Sequence, residues 1–132
     1  MVNDTISDFI TRIRNAILVR HKIVQAPATK MTIAITKILK AEGFIEDFEI
    51  FENQSNKYLL IFLKYKDRGR KPGINFLKRI SKPGRRIYVN KKNLPQTIGS
   101  FGIAIMSTSS GIMTDKKARL SNIGGEVLLY IY

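Results

Sequence analysis

Cysteine and tryptophan are absent from this 132-residue chain, and histidine occurs once, at His21. Without thiols there is no disulfide, no thiolate metal site and no cysteine nucleophile. A single imidazole excludes a multi-histidine metal cage and leaves little room for a Ser/His/Asp triad. Long apolar runs are also missing, and none approaches the roughly 20 residues that a membrane-spanning helix needs. The opening Met1-Val2-Asn3-Asp4-Thr5 has no basic segment leading into an apolar one, and an acid appears at once. Neither a secretory signal nor a transit segment is expected. Acids are scarce, 10 Asp and Glu against 23 Lys and Arg, which sets the net charge at +13. The rest is a folding composition, 44% hydrophobic and 25% charged. Three classes survive: a nucleic-acid binder, a binder of another anionic surface, or a basic enzyme acting on phosphates.

The charge is uneven. Residues 1–66 hold 10 basic and 7 acidic residues, whereas residues 67–132 hold 13 basic and 3 acidic. The stretch 66–92 carries Lys66, Arg68, Arg70, Lys71, Lys78, Arg79, Lys82, Arg85, Arg86, Lys91 and Lys92 against Asp67 alone. Such concentration raises self-repulsion in a folded chain and points to a partner that neutralises it, although a solvated basic face has the same composition.

The pattern of apolar residues gives an α+β fold of two small lobes. Residues 1–66 read as an α-β-α-β-β lobe, 67–73 as a linker, and 74–132 as a mostly antiparallel β lobe with a short helix. The first helix is expected from Asp4 or Thr5 to His21, with Ile6, Phe9, Ile10, Ile13 and Ile17 at helical spacing. A strand at Ile23–Ala26 follows. Thr29 then caps a helix with Met31, Ile35, Ile38 and Leu39 on one face and Gly43 as its stop. Strands at 44–52 and 57–66 flank the turn formers Asn53-Gln54-Ser55-Asn56. In the second lobe, strands are expected at 75–81, 86–90, 101–106 and 126–132, with a helix at 114–121. Leu94-Pro95 interrupts the pattern, and Pro83-Gly84 suits the centre of a type II turn.

Four places could carry binding chemistry. Ser107-Thr108-Ser109-Ser110 is a row of hydroxyls between an apolar strand and Gly111. Such a row can meet base edges, 2′-hydroxyls and phosphates of a folded RNA, or cap the backbone of its own turn. Lys82-Pro83-Gly84-Arg85-Arg86 is a stiff presenter of three cations, and Tyr88 beyond it either stacks on a base or packs on a neighbouring strand. Lys116 and Lys117 stand at the start of a helix, where their charge is unfavourable unless an anion lies over it. Glu126, next to Gly124-Gly125, either accepts base protons and orients an arginine or forms a surface salt bridge. Catalysis looks poor. Asp115 and Glu126 lie on different elements, there is no acidic cluster for Mg²⁺, and Gly99-Ser100-Phe101-Gly102 lacks the ending of a phosphate loop. His21 reads as a helix-end residue that caps carbonyls. No catalytic residue, metal site or cofactor is expected.

Several stretches together resemble one family. They are Asp4-Thr5-Ile6-Ser7-Asp8, Thr11-Arg12-Ile13-Arg14-Asn15-Ala16, Pro27-Ala28-Thr29-Lys30, Glu42-Gly43-Phe44-Ile45, Ile80 to Tyr88, Ser107 to Asp115 and Gly124-Gly125-Glu126-Val127. In this order they resemble small-subunit ribosomal protein number eight, of bacterial or plastid type, over the whole chain. The resemblance implies a primary binder of small-subunit (16S-type) rRNA that contacts its central domain and promotes assembly of the platform. It implies RNA contacts at Ser107, Thr108 and Ser109, with Lys82, Arg85, Arg86, Tyr88 and Glu126 nearby, and at Thr5, Arg12, Arg14 and Lys30 in the first lobe. It implies small-subunit ribosomal protein number five as a neighbour, with no membrane and no small-molecule substrate. Phe101 stands where a smaller aliphatic is usual, and residues 53–75 match poorly. Ile outnumbers Leu 20 to 10 and Lys outnumbers Arg 14 to 9, a bias of A+T-rich genes. With the variants at Thr5, Pro27 to Lys30 and Ser110, it favours a plastid over a bacterial cytoplasm. Charge alone would also suit a DNA-binding architectural protein, which would prefer duplex DNA. An RNA-processing enzyme would instead turn RNA over through Asp115 or Glu126.

Overall fold

A computed structural model describes residues 4–91 and 102–132. The chain divides into two compact units, Thr5–Asn75 and Phe76–Tyr132 with Asp4. The first runs α1 (Thr5–Leu18), β1 (Ile23–Pro27), α2 (Lys30–Ala41), β2 (Ile45–Asn53), β3 (Asn56–Leu63) and a small hairpin of β4 (Tyr65–Lys66) and β5 (Lys71–Pro72). Its three-stranded antiparallel sheet has the order β1-β3-β2. Alternation along β3 buries Leu59, Ile61 and Leu63, beside Val24 and Ala26 of β1 and Ile45 of β2. α1 packs on β1 and α2 on β2. The buried stripe of α1 is Ile6, Phe9, Ile10, Ile13 and Ala16, a 3.6-residue repeat that covers one side of the sheet.

Local chemistry explains where this unit departs from the expected pattern. α1 ends at Leu18, short of His21, because Arg20 takes a left-handed φ of 60°. The N–H groups of Arg20 and His21 then return to the carbonyls of Ile17 and Ala16 at 3.1 and 2.9 Å. This is the usual left-handed helix stop, built on an arginine where no glycine marks it. His21 meets the helix end through its backbone N–H. Gly43 (φ 80°) stops α2 in the same way, as its position suggests. The buried face of α2 includes Thr32 and Thr36, while Met31 and Ile38 are half-buried. Both hydroxyls are satisfied: Thr36 donates to the Thr32 carbonyl at 2.7 Å, and Thr32 shares a reciprocal capping box with Thr29. Residues 67–73, rich in turn formers, fold as the tip and return strand of the β4–β5 hairpin.

The second unit contains β6 (Leu77–Arg79), β7 (Tyr88–Val89), β8 (Ile103–Thr108), β9 (Gly111–Thr114), α3 (Asp115–Leu120) and β10 (Gly125–Ile131). The order is β6-β10-β8-β9, with β7 also pairing β10. β6 and β7 are shorter than the expected strands. β9 has no counterpart in the sequence pattern, since four residues are too few to show alternation. α3 contributes Ala118 to a core of Ala104, Met106, Met113 and Val127 on one face of this sheet. Leu94-Pro95, Gly99-Ser100 and Phe101 lie outside the described residues.

Candidate nucleic-acid interface

β10 organises the second unit. Its Glu126 pairs with Tyr88 of β7 on one side and with Ser107 of β8 on the other. Directly opposed residues of an antiparallel ladder share a face. Tyr88, Glu126 and Ser107 therefore form one row across three strands. The next residue along β10, Val127, pairs with Met106 and belongs to the core on the opposite face, where α3 packs. Two devices at and within β10 shape the row. The first is the pair Gly124-Gly125. A Cβ on Gly124 would meet the Val89 carbonyl oxygen at 2.3 Å, and one on Gly125 would meet that of Ser107 at 2.3 Å. Only bare backbone lets the flanking strands come this close. The second is a bulge between Val127 and Leu129. It breaks the alternation, so that Val127, Leu128 and Leu129 are all buried directly after Glu126.

Glu126 is itself mostly covered, its side chain 13% exposed, and its Oε2 accepts from Nη1 of Arg86 at 3.0 Å. That hydrogen bond, together with the carboxylate's charge, raises the pKa of Arg86 above its ordinary value. Tyr88 is 68% exposed. Arg86 follows a four-residue turn in which Lys82 and Arg85 exchange both backbone hydrogen bonds at 2.9 Å. Gly84 does not adopt a left-handed φ, so this is not the expected type II turn. Proline at its first central position suits a type I turn equally well. The base of the turn is clamped by Ser81, which is fully buried. The Ile87 N–H donates to Ser81 Oγ at 2.8 Å, and the Ile87 carbonyl accepts from the Val127 N–H at 2.9 Å. No motif in the sequence singles out Ser81 as a turn clamp. Its signal was a hydroxyl directly before Lys-Pro-Gly, in the position to close the turn it precedes.

The hydroxyl row divides by use. Ser107 and Thr108 belong to β8, and Ser109-Ser110 form the turn into β9. Thr108 Oγ1 accepts from the Ser110 N–H at 3.1 Å and donates to the Gly111 carbonyl at 2.8 Å. Thr108 is thus a turn cap. Among the described residues, Ser107 and Ser109 direct no side-chain hydrogen bond to a neighbour. Lys116 and Lys117 are exposed on α3, on the sheet face away from the row. The start of that helix is already capped by Thr114 Oγ1, which accepts from the Lys117 N–H at 3.2 Å. In the other unit, Thr5 opens α1, and Arg12 is held by Asp8 at 2.9 Å and by the Gln25 carbonyl at 3.0 Å. Arg14 and Lys30 are exposed on α1 and α2.

The family model described as Ribosomal protein S8 matches residues 4–132. The chain belongs to the ribosomal protein S8 family. It is 60% identical to small ribosomal subunit protein uS8 of Rippkaea orientalis over 98% of both chains. It is 59% and 56% identical to small ribosomal subunit protein uS8c of Phaeodactylum tricornutum and of Guillardia theta, over the full length of each. As an S8 protein it is a structural component of the small ribosomal subunit, located in the ribosome, and not an enzyme. The two acids weighed for catalysis have structural partners. Asp115 is fully buried, accepting from the Ala104 N–H at 3.0 Å and from Arg119 at 2.9 Å, and Glu126 holds Arg86. Among the described residues of this S8 chain, no group of three His, Asp or Glu could hold a metal ion, and no helix is long and apolar enough to cross a membrane.

Proposed function

We propose that this chain is a primary binder of small-subunit rRNA, that it reads the central domain through the second unit, and that it promotes assembly of the platform. The observation that carries this reading is the Tyr88–Glu126–Ser107 row with Arg86 on Glu126. It combines an exposed ring, a held carboxylate, a free hydroxyl and a fixed guanidinium on one mounted surface. Phosphates attract the cations of Lys82, Arg85 and Arg86 without regard to sequence, while the row meets bases and 2′-hydroxyls. Ser109 extends the row at the hairpin tip, and Thr108 shapes that tip. Lys116 and Lys117 serve phosphates reached around the other face. Thr5, Arg12, Arg14 and Lys30 form the contact of the first unit, and small-subunit ribosomal protein number five is the protein neighbour. A plastid ribosome is the setting we favour, in keeping with uS8c relatives that match across all 132 residues. The test is competition at physiological ionic strength among a central-domain rRNA fragment, an unrelated folded RNA and duplex DNA. Preference for the first is expected. Equal binding of all three, or preference for the duplex, would overturn the reading.

A further inference from the structure

The β4–β5 hairpin of the first unit carries Lys66, Arg68, Arg70 and Lys71, all exposed, with Asp67 as its only acid. Among the described residues none of these four cations has a carboxylate partner, although Arg12, Lys40 and Lys57 of the same unit each found one. The tip is held in an unusual shape. Asp67, Arg68 and Gly69 have consecutive left-handed φ values of 54°, 56° and 85°, and the Arg70 N–H closes back on the Asp67 carbonyl at 3.1 Å. L-residues rarely adopt that conformation, and where it persists the surroundings enforce it, often at functional sites. Arg20 braces the residues on either side of the tip. Its guanidinium lies 5.7 Å from the centre of the Tyr65 ring and donates to the Arg70 carbonyl at 2.7 Å. The Tyr65 hydroxyl donates to the His21 carbonyl at 2.5 Å, which fastens the hairpin to the end of α1.

We propose that this hairpin tip is a separate RNA-phosphate contact, in which Arg68 and Arg70 grip phosphates and Lys66 and Lys71 flank them. Guanidinium forks match phosphate oxygens in pairs, and a tip fixed before binding loses little entropy on docking. The inference rests on the reading of this chain as an rRNA binder. It is tested on the full chain by titrating small-subunit rRNA across a salt series, for wild type, for Arg68→Asn with Arg70→Gln, and for Ser107→Ala with Ser109→Ala. Asparagine tolerates the left-handed φ at position 68. The arginine variant is expected to bind more weakly at low salt, and its log affinity to fall less steeply with log salt, by roughly 1 to 2 in slope. The serine variant is expected to keep the wild-type slope. If wild type does not prefer small-subunit rRNA, the rRNA reading fails and this proposal with it. If wild type does prefer it and the arginine variant keeps affinity and slope, the hairpin proposal alone fails. A second measurement needs no variant: acylation of Lys66 and Lys71 in the wild-type chain, free and rRNA-bound. Protection on binding is expected, and equal labelling overturns the proposal.

Discussion

The two units use their carboxylates differently. In Thr5–Asn75, Asp8, Asp47 and Glu52 pair with Arg12, Lys40 and Lys57, and both partners of each pair are about half exposed. In the other unit the acids are Asp4, Asp115 and Glu126, and each is largely covered and bound to an arginine: Arg79, Arg119 and Arg86. Half-exposed pairs are screened by water and contribute little. Covered ones fix geometry, because breaking them strands a charge. A unit this poor in acid has no carboxylate left to neutralise Lys82, Arg85, Lys116 or Lys117. The lesson is that scarcity of acid here does two jobs: the few acids hold the frame, and the unopposed cations face outward.

The sharpest way to break this contrast is at the glycine pair. Gly125→Ala should destabilise the second unit by about 3 kcal/mol, the upper range for overpacking, because the new Cβ has the Ser107 backbone to push against. The Thr108 backbone lies 3.1 Å from the same Cβ and yields no more readily. Denaturant unfolding would measure the loss, and a wild-type midpoint would show that the row does not need bare backbone.

Asp115→Ala should cost about 2 kcal/mol, since it leaves the buried Ala104 N–H unpaired and removes the carboxylate that Arg119 meets at 2.9 Å. Lys57→Ala, which removes one of the half-exposed pairs, should change stability by less than about 0.5 kcal/mol. Unfolding curves of the two variants side by side test whether covered and exposed carboxylates differ as claimed, and equal shifts would erase the distinction.

The smallest effect is one of pH. A hydrogen bond from Lys40, then one from the Phe48 N–H, hold the Asp47 carboxyl below its ordinary pKa. Its contribution is therefore complete above the unfolded pKa of a carboxylate and is lost as pH falls through the lowered folded value. Asp47→Asn should flatten the acid limb of the first unit's stability slightly. A steeper limb in the variant would reverse the sign.

Much of this was legible in the residues. The stripe of α1, the Thr29 cap, the Gly43 stop and the Asn53–Asn56 turn follow from short-range rules, since each depends on contacts within a few positions. Arg20 as a helix stop was not legible, because arginine carries no left-handed preference. The hydroxyl stretch was visible as unusual, but its division was not. Whether Thr108 caps a turn while Ser107 stays free depends on register, and register depends on β9, too short to announce itself.

The sequence by itself determined the folding class, the excess of positive charge and the absence of thiol and multi-histidine chemistry, because composition and periodicity are properties of the chain alone. Only the tertiary structure decided that Tyr88, Glu126 and Ser107 stand in one row and that Lys116 and Lys117 do not join it. Residues up to 38 positions apart become neighbours through strand pairing, and a bulge between Val127 and Leu129 ends the alternation directly after Glu126. Pairing of that kind is a contest among distant backbones, and no local pattern records its outcome.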